Sequence, residues 1–174
     1  WSLTEKPGSL RLKGTAINFT TNDSPSFIGR RQAAFNLTAS AKVSFIPKVE
    51  NEEAGLVGRA DDKNHYDLLI TKRNGKRTAM LRKTLKDKVV DTIYKELPAT
   101  GDVILSITAT KTAYTFEVKA GHAVEVLGMA STRDVSNEVV GGFTGVFIGM
   151  YASGNGQANT NPADFDWFDF RCLD

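Results

Sequence analysis

The sequence predicts an all-β fold, a sandwich or a barrel, on three observations. From Phe35 to Phe45, apolar and polar residues alternate: Phe35, Leu37, Ala39, Ala41, Val43 and Phe45 hold the odd positions, and Asn36, Thr38, Ser40, Lys42 and Ser44 hold the even ones. A period of two sends these sets to opposite faces of a strand, whereas a helix would scatter both around its circumference. Asn74-Gly75 stands between two alternating runs, which is the strongest short-range hairpin signal. Turn residues recur at short spacing along the chain, marking off roughly ten to twelve short strands and no convincing helix.

The elements follow in order. Ser9 to Lys13 alternates and reads as a first strand, followed by a polar stretch from Gly14 to Ser26 with turn chemistry at Asn22-Asp23-Ser24-Pro25. The strand from Phe35 to Phe45 ends at the loop Pro47 to Glu52. Ala54 to Arg59 is a short strand, turned by Asp61-Asp62-Lys63-Asn64 into His65 to Lys72, where Tyr66, Leu68 and Ile70 share one face. Arg77 to Arg82 returns from the Asn-Gly hairpin. Val89 to Leu97 reads as a strand, although its lysines also suit a helix. Val103, Leu105, Ile107 and Ala109 alternate, as do Tyr114, Phe116 and Val118 after the turn at 110–112. Gly121-His122 turns the chain into Ala123 to Leu127, and a loop from Gly128 to Glu138 follows. Val139 to Tyr151 reads as a glycine pair, Phe143, and then an apolar run buried on both faces. A Gly/Asn-rich loop from Ser153 to Pro162 precedes the last strand, Ala163 to Phe170.

At 174 residues, with 41% hydrophobic and 24% charged residues, the chain suits a single domain with a real core. A net charge of +2 with both signs mixed builds no field for nucleic acid or acidic lipid, so neither nucleic acid nor membrane is an expected partner. No apolar run reaches the roughly 18 residues a spanning helix needs. The one cysteine, Cys172, closes no internal disulfide, and with His65 and His122 it assembles no zinc cluster. A start on Trp1 reads as a processed chain or a piece of a longer one. Sequons stand at Asn18, Asn22 and Asn36.

Catalytic constellations are missing. His65 is expected at the surface and His122 in a turn, and no Gly-x-Ser-x-Gly or phosphate-cradling glycine motif occurs. The close carboxylate pairs, Asp61 with Asp62 and Asp164 with Asp166, are too near in sequence to set an acid and a base across a cleft. The second pair suggests a structural calcium, with Asp166 between Phe165 and Trp167 as the better placed ligand, against the plainer reading of an edge strand protected by charge. No other cofactor is expected. For sugar binding the aromatic candidates are Trp1, Tyr66, Tyr94, Phe143, Tyr151 and Trp167, most of them on the apolar phase of strands, where core packing competes. Arg30-Arg31-Gln32 sends adjacent arginines to opposite faces of a strand, one toward the interior or a partner. By composition alone Phe143 is a core plug.

Several blocks together resemble one family. They are Trp-Ser-Leu-Thr-Glu-Lys-Pro-Gly-Ser-Leu-Arg-Leu (1–12), Gly-Arg-Arg-Gln (29–32), Ala-Gly-Leu-Val (54–57), Lys-Asn-His-Tyr (63–66), Gly-Gly-Phe-Thr-Gly-Val-Phe-Ile-Gly (141–149) and Ala-Asp-Phe-Asp-Trp-Phe (163–168). In this order they resemble the C-terminal concanavalin-A-like β-sandwich of glycoside hydrolase family 43 β-xylosidases and α-L-arabinofuranosidases. The resemblance implies a two-sheet antiparallel jelly roll over 1–174, packed on an N-terminal five-bladed β-propeller of the same polypeptide that carries the inverting catalytic acids. None of the propeller's blocks occurs in this sequence, so no catalytic residue is expected in it. The resemblance further implies that Phe143, carried by the hinge Gly141-Gly142, caps the propeller's pocket for a xylan-type oligosaccharide. Two departures stand out: fewer rings around 58–67, and Ser9 where a larger aromatic is common. The alternatives are an independent module that binds xylan-type hemicellulose, and a sandwich kept for stability or for a homo-oligomer. A bacterial periplasmic or secreted location is expected over a cytoplasmic one.

Overall fold

Alternating strands with one apolar face are stable only when two such faces close on each other. The computed structural model, which describes residues 1–21, 23–158 and 161–173, builds this arrangement from twelve strands. They are β1 (Leu10–Leu12), β2 (Ser26–Arg31), β3 (Leu37–Ser44), β4 (Glu53–Asp61), β5 (Asn64–Arg73), β6 (Lys76–Leu85), β7 (Lys88–Glu96), β8 (Val103–Ala109), β9 (Ala113–Ala120), β10 (Ala123–Ser131), β11 (Phe147–Ser153) and β12 (Ala163–Cys172). One six-stranded sheet has the order β1-β12-β3-β8-β9-β10 and the other β2-β11-β4-β5-β6-β7. Neighbouring strands are antiparallel throughout both sheets. The fold is the two-sheet antiparallel jelly roll expected.

The core lies between the sheets. From the first sheet come Leu37, Ala39, Ala41 and Val43 of β3, Leu105 and Ile107 of β8, and Phe116 of β9; from the second come Leu56, Tyr66, Leu68, Ile70, Leu81 and Ile148. The alternation of β3 is followed residue by residue, but Phe35 precedes the strand and is 64% exposed. Asn74 and Gly75 turn the β5–β6 hairpin with positive φ (52° and 75°), as a type I′ turn requires. Val89 to Leu97 is resolved in favour of strand β7.

Three expectations need correction. The apolar run after Phe143 forms β11 from Phe147, but the loop expected from Gly128 to Glu138 carries the end of β10, a 3-10 turn at Arg133–Val135 and the start of a four-residue helix α1 (Asn137–Val140). Gly141, Gly142 and Gly145, all at positive φ, separate α1 from β11, since extended pairing does not tolerate that conformation. Secondly, β5 buries both faces. The segment between β1 and β2 folds over the outer face of the second sheet, and Phe19 stacks on Tyr151 at 4.5 Å and meets Phe27 edge-on at 5.6 Å. Thirdly, His65 is a buried residue, 1% exposed, beneath Phe19, with Nδ1 2.6 Å from Asp67 Oδ1.

That second buried layer contains charge. Arg82 donates from Nε to Asp67 (2.7 Å) and from both terminal nitrogens to Glu53 (3.0 and 3.1 Å), while Tyr151 donates to Glu53 at 3.0 Å. Burial alone would raise the Asp67 pKa, but the neighbouring His65 and the Arg82 guanidinium outweigh it and hold the carboxyl below its ordinary value. The same burial, with the Glu53 charge added, pushes the Tyr151 phenol up, so it stays a donor.

Arg82→Met therefore leaves two buried carboxylates without their cation and is expected to destabilise the fold by about 3–5 kcal/mol in urea unfolding. Because the folded pKa of Asp67 is depressed, its stabilisation is complete above the ordinary value of about 3.9 and is lost as pH falls below it toward the folded value. In the Arg82→Met protein the acid loss should set in at higher pH than in the native chain.

Candidate functional site

The loop from Gly141 to Val146 joins α1 to β11 at one end of the sandwich. Gly141 caps the helix with φ 80° and ψ −175°, a region essentially restricted to glycine, and its N–H returns to the Asn137 carbonyl at 2.9 Å. Gly142 and Gly145 follow at φ 84° and 71°. A Cβ at any of the three would meet no atom within 4 Å, so conformation and not space selects glycine here. Between them Phe143 is 98% exposed. It fills no part of the domain's own core, against the expectation from composition.

The roots of this loop are fixed. Val146 is buried, and its carbonyl accepts from the Gln32 N–H at 2.8 Å. The Gln32 side chain accepts from the Tyr114 hydroxyl (2.6 Å) and donates to the Ala34 carbonyl (3.0 Å). On the other root, Val135 is fully buried, and the Tyr66 hydroxyl donates to the Ser131 carbonyl at 2.9 Å. Tyr66 and Tyr114 meet edge-on at 5.9 Å, and burial pushes both phenols up, so both remain donors at physiological pH. Core aromatics thus reach out and clamp both sides of the segment whose tip is free.

A groove of about 580 Å³ runs beside the loop, lined among others by Gln32, Phe35, Tyr114, Arg133, Glu138 and Val146. The exposed Glu138 carboxyl accepts from Ser136 and is held below the usual carboxylate range. Arg30 and Arg31 are both exposed, so neither enters the interior. Arg31 lies over Phe147 at 5.6 Å and Arg30 over Phe170 at 4.9 Å, each covering an aromatic at the sandwich edge.

The other sequence candidates lie elsewhere. Tyr151 is core, and Tyr66 is core with only its hydroxyl at the root of the loop segment; Trp1, Tyr94 and Trp167 are partly or largely exposed. Asp164 forms a two-point pair with Arg11 (2.7 and 2.9 Å). Asp166 sits at a bulge in β12 and is bonded to Lys42 Nζ at 2.9 Å, which also reaches Asp102 at 3.2 Å. A calcium ion at Asp166 would have to compete with that ammonium. Asn18 uses its side chain to hold Thr20 and Asn155, and Asn22 lies outside the described residues. The clamp residues Gln32 and Tyr114 were not singled out in these roles. The available signal was a tyrosine on the apolar phase of β9, whose hydroxyl must find a partner when buried.

Residues 1–171 match the family described as β-xylosidase C-terminal concanavalin A-like domain. The chain is 90% identical over 174 residues to a non-reducing end α-L-arabinofuranosidase, BoGH43B, of Bacteroides ovatus, covering 100% of this chain and 33% of that protein. It is 31% identical over 171 residues to a xylosidase/arabinosidase of Butyrivibrio fibrisolvens, covering 97% of this chain and 32% of that one. Among solved structures, a Bacteroides ovatus protein described as xyloglucan PUL GH43B superposes with a TM-score of 0.97 at 90% identity over 99% of this chain and 34% of that one. A xylan β-1,4-xylosidase of Bacillus halodurans superposes with a TM-score of 0.85 at 27% identity, over 98% of this chain and 34% of that one. The chain thus spans about a third of the length of these relatives.

The clamp makes a prediction. Gln32→Leu leaves the buried Tyr114 hydroxyl without its acceptor and should cost about 1–3 kcal/mol of stability in urea unfolding. Hydrogen exchange at the amides of 144–147 should quicken by no more than the global loss explains, because the main-chain bond from residue 32 to the Val146 carbonyl survives the substitution.

Proposed function

The chain belongs to the family of β-xylosidase C-terminal concanavalin A-like domains, and from that membership we propose that it is the part of a family 43 glycosidase that shapes the substrate pocket. It is the non-catalytic accessory domain; the bond-breaking acids belong to a propeller outside these residues. The proposed partner is that propeller, and the proposed substrate is the terminal pentose of a xylan- or arabinoxylan-type chain. The names of the relatives, an arabinofuranosidase and a xylosidase/arabinosidase, support this substrate class.

The observation that carries the reading is the exposure of Phe143 on an anchored loop. A phenylalanine left 98% in water gains free energy only when something covers it. The sandwich gains nothing from it, since its ring touches no core. A pyranose or furanose ring has an apolar C–H face that a flat aromatic covers well, and a ring packed there contributes on the order of 1 kcal/mol beyond area burial. A pocket closed by such a ring sheds water and excludes long chains, which favours removal of single terminal sugars. The Gly141-Gly142 backbone lets the tip settle onto the bound sugar, while the Gln32–Val146 and Tyr66–Ser131 bonds hold its base.

Phe143→Ala in the full-length enzyme should lower kcat/KM on p-nitrophenyl α-L-arabinofuranoside or β-xyloside about fivefold, the kinetic equivalent of about 1 kcal/mol. The melting temperature should stay unchanged, because the ring contributes nothing to the core. Unaltered kinetics on both glycosides would sink the reading.

A further inference from the structure

Among the described residues, four buried side-chain polar atoms have no hydrogen-bond partner within the protein: Arg59 Nε, His65 Nε2, Arg77 Nη2 and Thr84 Oγ1. Three of them are neighbours. Arg59 of β4 stands opposite His65 of β5, and His65 stands opposite Thr84 of β6. Opposite residues send their side chains to the same face, with Cβ atoms about 4.5–5.5 Å apart. That face is the outer one, because Val57, Leu69 and Met80 lie an even number of residues away on the same three strands and pack in the layer with Phe19. His65 and Thr84 are 1% and 2% exposed. The Phe19 ring lies 5.4 Å from the His65 ring and 5.2 Å from the Arg59 guanidinium carbon.

A buried polar atom seldom goes unpartnered, because it forfeits its bond to water and gains none in return. Three such atoms in one cross-strand row call for one shared partner, small enough to lie between them. The bonds already made define its chemistry. Arg59 only donates, and its terminal nitrogen is already given to Asp62. His65 Nδ1 is 2.6 Å from Asp67 Oδ1, and a carboxylate only accepts, so Nδ1 carries a proton. Nε2 is then the lone pair of a neutral ring or the second N–H of a charged one. The Thr84 hydroxyl both donates and accepts. A partner that serves all three in either state of the ring must itself donate and accept. Water does. A simple anion only accepts, and a metal ion takes only lone pairs and would sit against a guanidinium.

We propose that one internal water is bound between Arg59, His65 and Thr84. It accepts from Arg59 Nε, pairs with His65 Nε2 and shares a bond with the Thr84 hydroxyl, three bonds being the usual number for a buried water. The water completes a polar chain across the second sheet. Tyr151 donates to Glu53, Arg82 joins Glu53 to Asp67, Asp67 holds His65, and Arg59 reaches Asp62. The step from His65 to Arg59 is the one the water supplies, so the chain runs from β11 to the turn between β4 and β5. The site shares no residue with the Phe143 loop and does not rest on the capping reading.

The test is a high-resolution crystal structure of the 174-residue chain, of the same crystals soaked in sodium bromide, and of Thr84→Val, which keeps the side-chain shape and removes the hydroxyl. The expected result is one density peak about 2.7–3.2 Å from each of the three atoms. The bromide crystals should show no anomalous signal there, and the peak should be lost in Thr84→Val. The proposal is overturned if the native chain shows no peak, or one that misses any of the three atoms. Direct bonds among the three side chains, bromide at the site, or a peak of full strength in Thr84→Val would overturn it equally. None of these outcomes touches the kinetic test of Phe143.

Discussion

Arg82 joins Glu53 to Asp67 at the margin of the aromatic layer built by Phe19 and Tyr151, and the second sheet is organised around that contact. A sheet with one face on the core and the other in water needs no buried charge. Here the second face is covered as well, by Phe19 stacked on Tyr151, and the layer beneath it holds two carboxylates and a histidine. Such a layer is tolerable only when every charge is paired and hydrogen-bonded, and the planar fork of one arginine meets both carboxylates at once. The ladder from β4 through β5 to β6 is thereby held from both sides. Strand β11, which pairs with β4, inherits a fixed position, and with it the loop that leads into it.

The loop end combines a rigid base with a free tip. Two buried tyrosines use their apolar rings in the core and their hydroxyls at the rim, one on Gln32 and one on the Ser131 carbonyl. The glycines at 141, 142 and 145 then release the chain into conformations that other residues rarely adopt, and Phe143 stands in solvent. On the proposed reading this division has a purpose. Ordering a long flexible arm on each binding event would cost entropy that offsets the gain from covering one ring. A short tip on an anchored base loses little.

Most of the fold was legible because period-two patterning and turn chemistry are local. The alternation from 37 to 44, the Asn-Gly hairpin and the short spacing of turns reproduce strands β3, β5, β6, β8 and β9 closely. What escaped depends on register between distant strands. Glu53, Asp67 and Arg82 are separate polar residues in the sequence; pairing sets Arg82 opposite Asp67, and its side chain then reaches Glu53 on β4. His65 looked like a surface residue because nothing in its own neighbourhood announces Phe19 arriving from the segment after β1. The short helix from Asn137 to Val140 was read as loop, because four residues carry no helical period that a sequence can show. Phe143 was legible only in part, since composition placed it in the core and the family resemblance placed it outside, where the structure has it.

The central claim is that the sandwich offers Phe143 to a sugar held by another domain. The most direct measurement is ¹⁹F NMR of the full-length enzyme with 4-fluorophenylalanine at position 143, compared with the same label in the 174-residue chain. The account predicts a solvent-like resonance in the chain, a displaced one in the full enzyme, and a further shift when arabinose or xylose is added. A resonance identical in both proteins and indifferent to either sugar would contradict it.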